Sequence, residues 1–596
     1  MARVLSRVLT ITLTLTAGAH AADLFFPLAD VRAGMHGVGK TVFEGDRIED
    51  FQVEILGILP NAGPKESVIL ARLSGGPLEH TGVLQGMSGS PVFIDGKLLG
   101  AVAMAFPFSK DPIAAIRPIA DMIRSAEGSG KPPTVQTPTI AEALRKGFFG
   151  PVPQAAESGF GEGKLINIST PLALGGFTTA AVEAFAPQLR ALGLEPRQAL
   201  SAGGASVSAG TAPFGDPARV RPGSMISVQL MQGDMNVGAD GTVTWVDGDR
   251  VYAFGHRFMD VGSTGLPFSR SEVLTLLASV NTSFKISSPQ ELMGVISQDR
   301  DTAVSGSFGK RADMLPVDIA VHREGRLVES YHMSMVDDPM LTPLLLQMAV
   351  FSTLDATERG AGAATIGVRG TVQLSGGRSI QLNDIYAADN AAPQLASVST
   401  VAPVAYILQS GFDSLKVKHI SLDIEALEKK RSLDIGEVVA SCHEARPGDT
   451  VDLAINLTGE NGVDETRTAS YRIPLGAQAG PVFFTAADGP QTSLLDLRFA
   501  LSAQPTNPEQ LLGLLERLRD NDKVYVRVWR PETSYPAGLD ELPAPPPSVA
   551  LIMAAEMGPS GVALGTMKNS RIAEMVIDSG GRMVSGSKTV QVEVKP

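Results

Sequence analysis

Turn dipeptides recur along this chain too often for long helices to dominate it. Asp95-Gly96, Asp240-Gly241, Asp247-Gly248 and Asn461-Gly462 separate short runs in which Val, Ile and Thr alternate with polar residues. Such pairs accept the left-handed backbone of a hairpin turn, and the alternation matches the two-residue period of a half-buried strand. The 62 glycines and 40 prolines add to that punctuation, and only 19 % of residues are charged. The expected fold class is mainly β, built from barrels or sandwiches.

The first residues bear on the compartment. Arg3 and Arg7 precede an apolar run over residues 8–17, and Ala19-His20-Ala21 follows as a small-x-small pattern. This is the form of a cleaved secretory signal over residues 1–21, its run too short for a permanent anchor. A mature chain starting near Ala22 in the periplasm or outside the cell is expected. The longest later apolar stretch, residues 343–354, falls short of the about 20 residues of a span, so no stable membrane span is expected. Net charge is −13 and becomes −15 without Arg3 and Arg7, and no basic block is present. Nucleic-acid binding is therefore disfavoured.

Cys442 is the sole cysteine. No intramolecular disulfide can form, and stability must come from hydrophobic cores. A thiol nucleophile would rest on Cys442-His443, but neighbours on a strand point to opposite faces. No cofactor or metal is expected: the sequence has no HExxH, no CxxC and no histidine pair at helical spacing. Asp299-Arg300-Asp301 and Asp337-Asp338 read as solvated turns.

Breaks in the pattern divide the chain. A first β module over 23–127 has strands near 37–43, 51–59, 68–73, 91–94 and 98–105 and a closing helix near 118–126. Residues 128–163, rich in Gly, Pro, Ser and Thr, read as a linker. A second module, 164–316, has a helix near 179–192 and strands near 225–231, 241–246 and 250–254. A β module over 317–400, a sandwich-like module over 401–500 and an α+β tail over 501–596 complete the expected order, the tail carrying a helix at 508–520.

One stretch carries chemistry. Gly86-Met87-Ser88-Gly89-Ser90-Pro91 places a serine between glycines in a tight turn just before a strand. Glycines let the backbone turn sharply and let a substrate carbonyl approach the hydroxyl. The N–H groups of Gly86 and Ser88 can then converge as an oxyanion hole. Downstream, Gly241-Thr242-Val243-Thr244-Trp245-Val246-Asp247 leads through a turn to Tyr252-Ala253-Phe254-Gly255-His256. Of the eight histidines, His256 alone stands at a strand end beside a glycine within such an element.

The continuation after Pro91, a strand, the Asp95-Gly96-Lys97 turn, a second strand and a terminal helix, resembles the end of trypsin-like serine peptidases. Thr81-Gly82-Val83-Leu84-Gln85-Gly86-Met87-Ser88-Gly89-Ser90-Pro91 resembles more closely the SpoIVB peptidase family, whose turn reads TG-x-x-QGMSGSP. That family places its catalytic histidine in a GTxTxxD…GH element, matched here by 241–256. The resemblance covers residues 35–119 and 220–262. It implies a two-barrel trypsin-like module, with Ser88 as nucleophile and His256 as base.

Two departures stand out. In the family the histidine precedes the serine, whereas here Ser88 precedes His256. The family carries an aspartate shortly upstream of the turn, where this chain has Leu73-Ser74-Gly75-Gly76. Asp260 is the nearest replacement; a Ser–His dyad and His80 as a rival base remain open. The implied function is a serine endopeptidase that cuts exported or envelope proteins at few sites. The alternative is an inert peptidase-like scaffold that binds an envelope protein.

Overall fold

The computed structural model describes residues 24–63, 66–106, 109, 111–127, 165–198, 213–357, 362–500, 505, 507–537, 540–556 and 569–596. The expected signal segment and the whole of the expected linker lie outside them. The chain forms two compact units, the first holding residues 1–135, 152–314 and 333–341, the second the remainder. The fold is mainly β.

In the first unit, β1 (His36–Glu44), β2 (Arg47–Gly63), β3 (Glu66–Ser74), β4 (Pro91–Ile94), β5 (Lys97–Ala105) and β6 (Ile113–Pro118) form a closed antiparallel barrel in the order β4-β1-β2-β3-β6-β5, with β5 returning to β4. Closure leaves none of the six with an open edge. β2 is long enough to curve round the wall because its register shifts between Ile55 and Gly57, and such bulges bend a strand. The inward side chains, among them Phe51, Val53, Ile55, Leu73, Met87 and Val102, form one core. Asp95 and Gly96 both take positive φ, at 49° and 77°, as the hairpin turn between β4 and β5 requires. α1 (Leu78–Thr81) precedes the serine turn, and α2 (Ile119–Ala126) closes the module.

β7 (Ile166–Asn167) adds to β5, while β8 (Thr170–Gly175) and β9 (Leu194–Gln198) flank α3 (Thr179–Ala191). A second closed antiparallel barrel follows: β10 (Met225–Gly233), β11 (Asn236–Asp247), β12 (Arg250–Ala253), β13 (Gly262–Leu277), β14 (Phe284–Arg300) and β15 (Ala303–Phe308). Its order is β10-β13-β14-β15-β12-β11, with β11 returning to β10. The two barrels share buried contacts: Leu98, Ala101, Ile119 and Met122 pack with Tyr252 and Ala303, and Val42 packs with Met225 and Val273.

The second unit departs from the expected modules. β16 (Met314–Arg323), β17 (Arg326–Val336), β18 (Ala364–Leu374), β19 (Ser379–Ala388) and β20 (Val417–Leu427) form sheet, but α4 (Leu341–Thr357) and α5 (Ala392–Gln409) interrupt the stretch expected to be β. Both helices are apolar with no polar face; a helix buried on all sides shows no 3.6-residue stripe. The expected break at residue 500 is also absent. Strands 523–530, 570–578 and 587–594 pair in one sheet with 480–487, and strand 583–585 pairs with 432–440. Both sheets share one core, containing Leu433, Ile455, Phe484, Val526 and Val592. The sandwich therefore runs over 432–594 and absorbs the expected tail, because strand pairing joins residues distant in sequence. Cys442 packs against that core.

Candidate active site

The serine turn is fixed from both barrels. Met87 N–H donates to Leu84 O at 3.1 Å and Ser90 N–H to Met87 O at 2.9 Å, which coils the backbone around Ser88. The Met87 side chain is fully buried in the first core and anchors the turn there. Gly89 N–H donates to Val102 O on β5 at 2.8 Å. From β11 of the second barrel, Thr242 N–H donates to Ser88 O at 2.9 Å. Thr242 Oγ1 donates to Gly86 O at 2.8 Å and Thr244 Oγ1 to Gly89 O at 2.7 Å. A spacing of two puts both threonines on one face of the strand. The threonines of the GTxTxxD element thus hold the serine turn.

Close backbone approach explains the glycines beside the serine and the histidine. Gly89 has φ 93°, and a Cβ there would lie 2.0 Å from Thr242 O and 2.5 Å from Phe254 N. Only glycine tolerates both the conformation and the approach. A Cβ on Gly255 would lie 2.9 Å from the Ala101 Cβ and 3.3 Å from Val102 O, the carbonyl that also receives Gly89 N–H. The Ser88-Gly89 and Gly255-His256 segments therefore converge on the same part of β5.

Residues 28–113 match the family model described as SpoIVB peptidase S55. Over these residues the chain is similar to the SpoIVB peptidases. The matched stretch takes in the Ser88 turn and most of the first barrel and leaves His256 outside. No curated protein matches the chain.

Ser88 is 0 % and His256 2 % exposed. His256 Nδ1–H donates to Arg257 O at 2.6 Å. A carbonyl can only accept, so Nδ1 carries the proton and Nε2 keeps its lone pair. Burial pushes the ring down to about 4, the Arg257 carbonyl opposing and Arg117 adding to the fall. The imidazole is therefore neutral at neutral pH. Neither Ser88 Oγ nor His256 Nε2 has a hydrogen-bond partner, so the two do not bond each other in this state. Buried polar atoms are mostly paired in native proteins, and a catalytic role is one reason for an exception. No hydrogen bond among the described residues uses the N–H of Gly86 or Ser88, which leaves both donors available to an oxyanion.

Asp260 is not joined to His256. It is half-exposed at φ 61°, and its carboxylate lies 3.7 Å from Arg257 Nη1. His80 sits on the exposed α1 turn and lines a cavity of about 260 Å³ with Gly82, Val83, Gln85, Ala105 and Ser283, which neither Ser88 nor His256 lines. Asp299, expected in a solvated turn, is instead fully buried on β14. It accepts from the N–H groups of Phe258, Met259 and Val261 at 2.8, 2.7 and 3.3 Å. It thereby folds the loop that follows His256. Two aspartates flank Arg300, and nothing in the sequence marks which of them faces inward. Among the described residues no cluster of three or more His, Cys, Asp or Glu could hold a metal.

Proposed function

We propose that this SpoIVB-type chain is a serine endopeptidase acting on exported or envelope proteins at few sites. The supporting observation is the convergence of the Ser88 turn and His256 across two closed barrels, with Ser88 Oγ and His256 Nε2 both buried and unpartnered. Ser88 Oγ attacks the scissile carbonyl carbon while His256 Nε2 takes the hydroxyl proton. The Gly86 and Ser88 N–H groups hold the resulting oxyanion. As the carbon–nitrogen bond breaks, His256 returns the proton to the leaving amine. Water, deprotonated by the same nitrogen, then cleaves the acyl ester and restores Ser88. The Arg257 carbonyl takes the orienting place that a carboxylate fills in a triad, since it fixes the tautomer.

A fluorophosphonate probe tests this, because it labels activated serines and not ordinary hydroxyls. The mature chain should label at Ser88, and Ser88→Ala should abolish labelling. Its melting temperature should hardly move, because Ser88 Oγ makes no hydrogen bond to lose. His256→Ala should lower labelling about as severely, because nucleophile and base act as a unit.

The missing Ser88–His256 bond and the missing carboxylate on His256 favour a second reading, an inert scaffold that binds an envelope protein. An intact wild-type fold that never labels would decide for it.

A further inference from the structure

Behind the serine turn lies a polar cluster that the mechanism above does not use. Lys285, on β14 of the second barrel, is 2 % exposed. Its ammonium donates to Thr41 Oγ1 on β1 at 2.8 Å, and its other polar neighbour is Met225 Sδ at 3.9 Å. Thr41 Oγ1 also receives Ser90 Oγ–H at 3.1 Å, two residues beyond Ser88. The lysine stem runs directly beneath Gly86: a Cβ there would meet Lys285 Cδ at 3.3 Å and Cβ at 3.5 Å. The backbone repeats the link, with Lys285 N–H donating to Gln85 O at 3.2 Å and Gln85 N–H to Ser283 O at 2.9 Å. One side chain from the second barrel thus touches the residue before the turn and, through Thr41, the residue after it.

We propose that Lys285 is a positioning residue for the Ser88 turn, and that its protonated form holds the oxyanion-binding geometry. This rests on the peptidase reading of the same site. The protonated amine gives Thr41 a charge-assisted bond, stronger than a neutral amine can give. The same side chain packs its stem against Gly86, so the strength of the Thr41 bond bears on the residue that carries an oxyanion donor. Burial pushes Lys285 down to about 7, with Asp240 pulling the other way. Asp240, on β11, is the charged group that faces it; β1 presents Thr41 and β10 presents Met225. Asp240 is itself buried and receives Ser287 Oγ–H at 2.5 Å. The sign follows: Lys285 is charged below about pH 7 and neutral above it. His256, held near 4, is already neutral across that range and does not supply a fall in reactivity around pH 7, and Lys285→Met removes the lysine's part of any step.

The test is the rate of Ser88 labelling by a fluorophosphonate from pH 5 to 9, with hydrogen exchange of the peptide covering residues 85–90 measured alongside. Wild type should lose about tenfold in rate as pH rises through 7, less than the about 10²–10³ for losing a direct oxyanion donor. Lys285→Met should be slow at every pH and lack the step, and the turn should exchange faster. Thr41→Val should behave alike from the other end of the link and serves if Lys285→Met does not fold, while Thr41→Ser should restore the step. A lysine that only fills space would lower the melting temperature without moving the step. If Lys285→Met labels with the wild-type step and unchanged exchange, this inference fails and the peptidase reading stands. If wild type does not label at all, both fail.

Discussion

Replacing Gly89 with alanine would test the seam that brings Ser88 and His256 together. The residue sits at φ 93°, and the added methyl would begin 2.0 Å from Thr242 O and 2.5 Å from Phe254 N. The left-handed conformation costs about 1–3 kcal/mol for a residue with a Cβ. Overpacking against backbone that cannot rotate away costs about 1–3 kcal/mol more. Relief comes only by parting the turn from β11, which loosens the bonds from Thr242 N–H, Thr242 Oγ1 and Thr244 Oγ1, each worth about 0.5–1.5 kcal/mol. A loss of about 5 kcal/mol results, or about 10 °C at ~2 °C per kcal/mol for a unit of this size. Gly96→Ala is the control: its φ is 77° with nothing within 4 Å of the new methyl, so only the conformational cost of about 1 kcal/mol remains. Differential scanning calorimetry of both variants reads the difference. A Gly89→Ala protein that melts no lower than Gly96→Ala would refute the close-packed seam.

Other expectations follow from the same geometry. The unfolded chain holds His256 near 6.5 and the folded chain near 4, so between those values the unfolded state binds more protons and stability rises with pH. About 3 kcal/mol is at stake over that window, and His256→Gln should flatten this part of the melting-temperature profile between pH 4 and 6.5. Asp299→Ala leaves the Phe258, Met259 and Val261 donors without their acceptor and should cost about 3 kcal/mol or more in denaturant titration, whereas Asp260→Asn, at a half-exposed ion pair, should cost under about 1 kcal/mol. Intact mass of the protein recovered from the periplasm of a bacterial host should give an N-terminus at or near Ala22; material retaining Met1 would refute the secretory reading of residues 1–21.

Much of the first barrel was legible in the sequence because its information is local. Expected strands at 37–43, 51–59, 68–73, 91–94 and 98–105 fall within β1 to β5, each marked by alternation and bounded by a turn. The serine turn and the His256 strand end were legible for another reason: sharp turns and close approaches demand glycine, and glycine is visible as a letter. The supporting residues were not. Thr41, Lys285 and Asp299 matter through partners 49, 244 and about 40 positions away, and no local pattern distinguishes a buried lysine on a strand from a solvated one. α4 escaped because Asp338 caps its start by accepting from Met340 and Leu341 N–H, at 2.9 Å each, while the helix itself has no polar face to betray its period.

The reversed order of serine and histidine loses its force once the seam is described. The serine turn lies between α1 and β4 of one barrel, and the histidine lies after β12 of the other; the first is bonded to β5 through Gly89 N–H on Val102 O, and the second packs closely against β5 at Gly255. Each barrel closes on itself, so neither needs the other to complete its sheet, and which is synthesised first does not alter how they dock. The entropic cost of tethering two closed modules grows only as about the logarithm of the tether length, so a tether running from serine barrel to histidine barrel is as acceptable as the reverse. What the site does require is a seam that holds the two backbones in register. Here that requirement falls on side chains that cross it: Thr242 and Thr244 from β11, and Lys285 from β14. Geometry at the seam, and not position along the chain, is what a Ser–His pair needs.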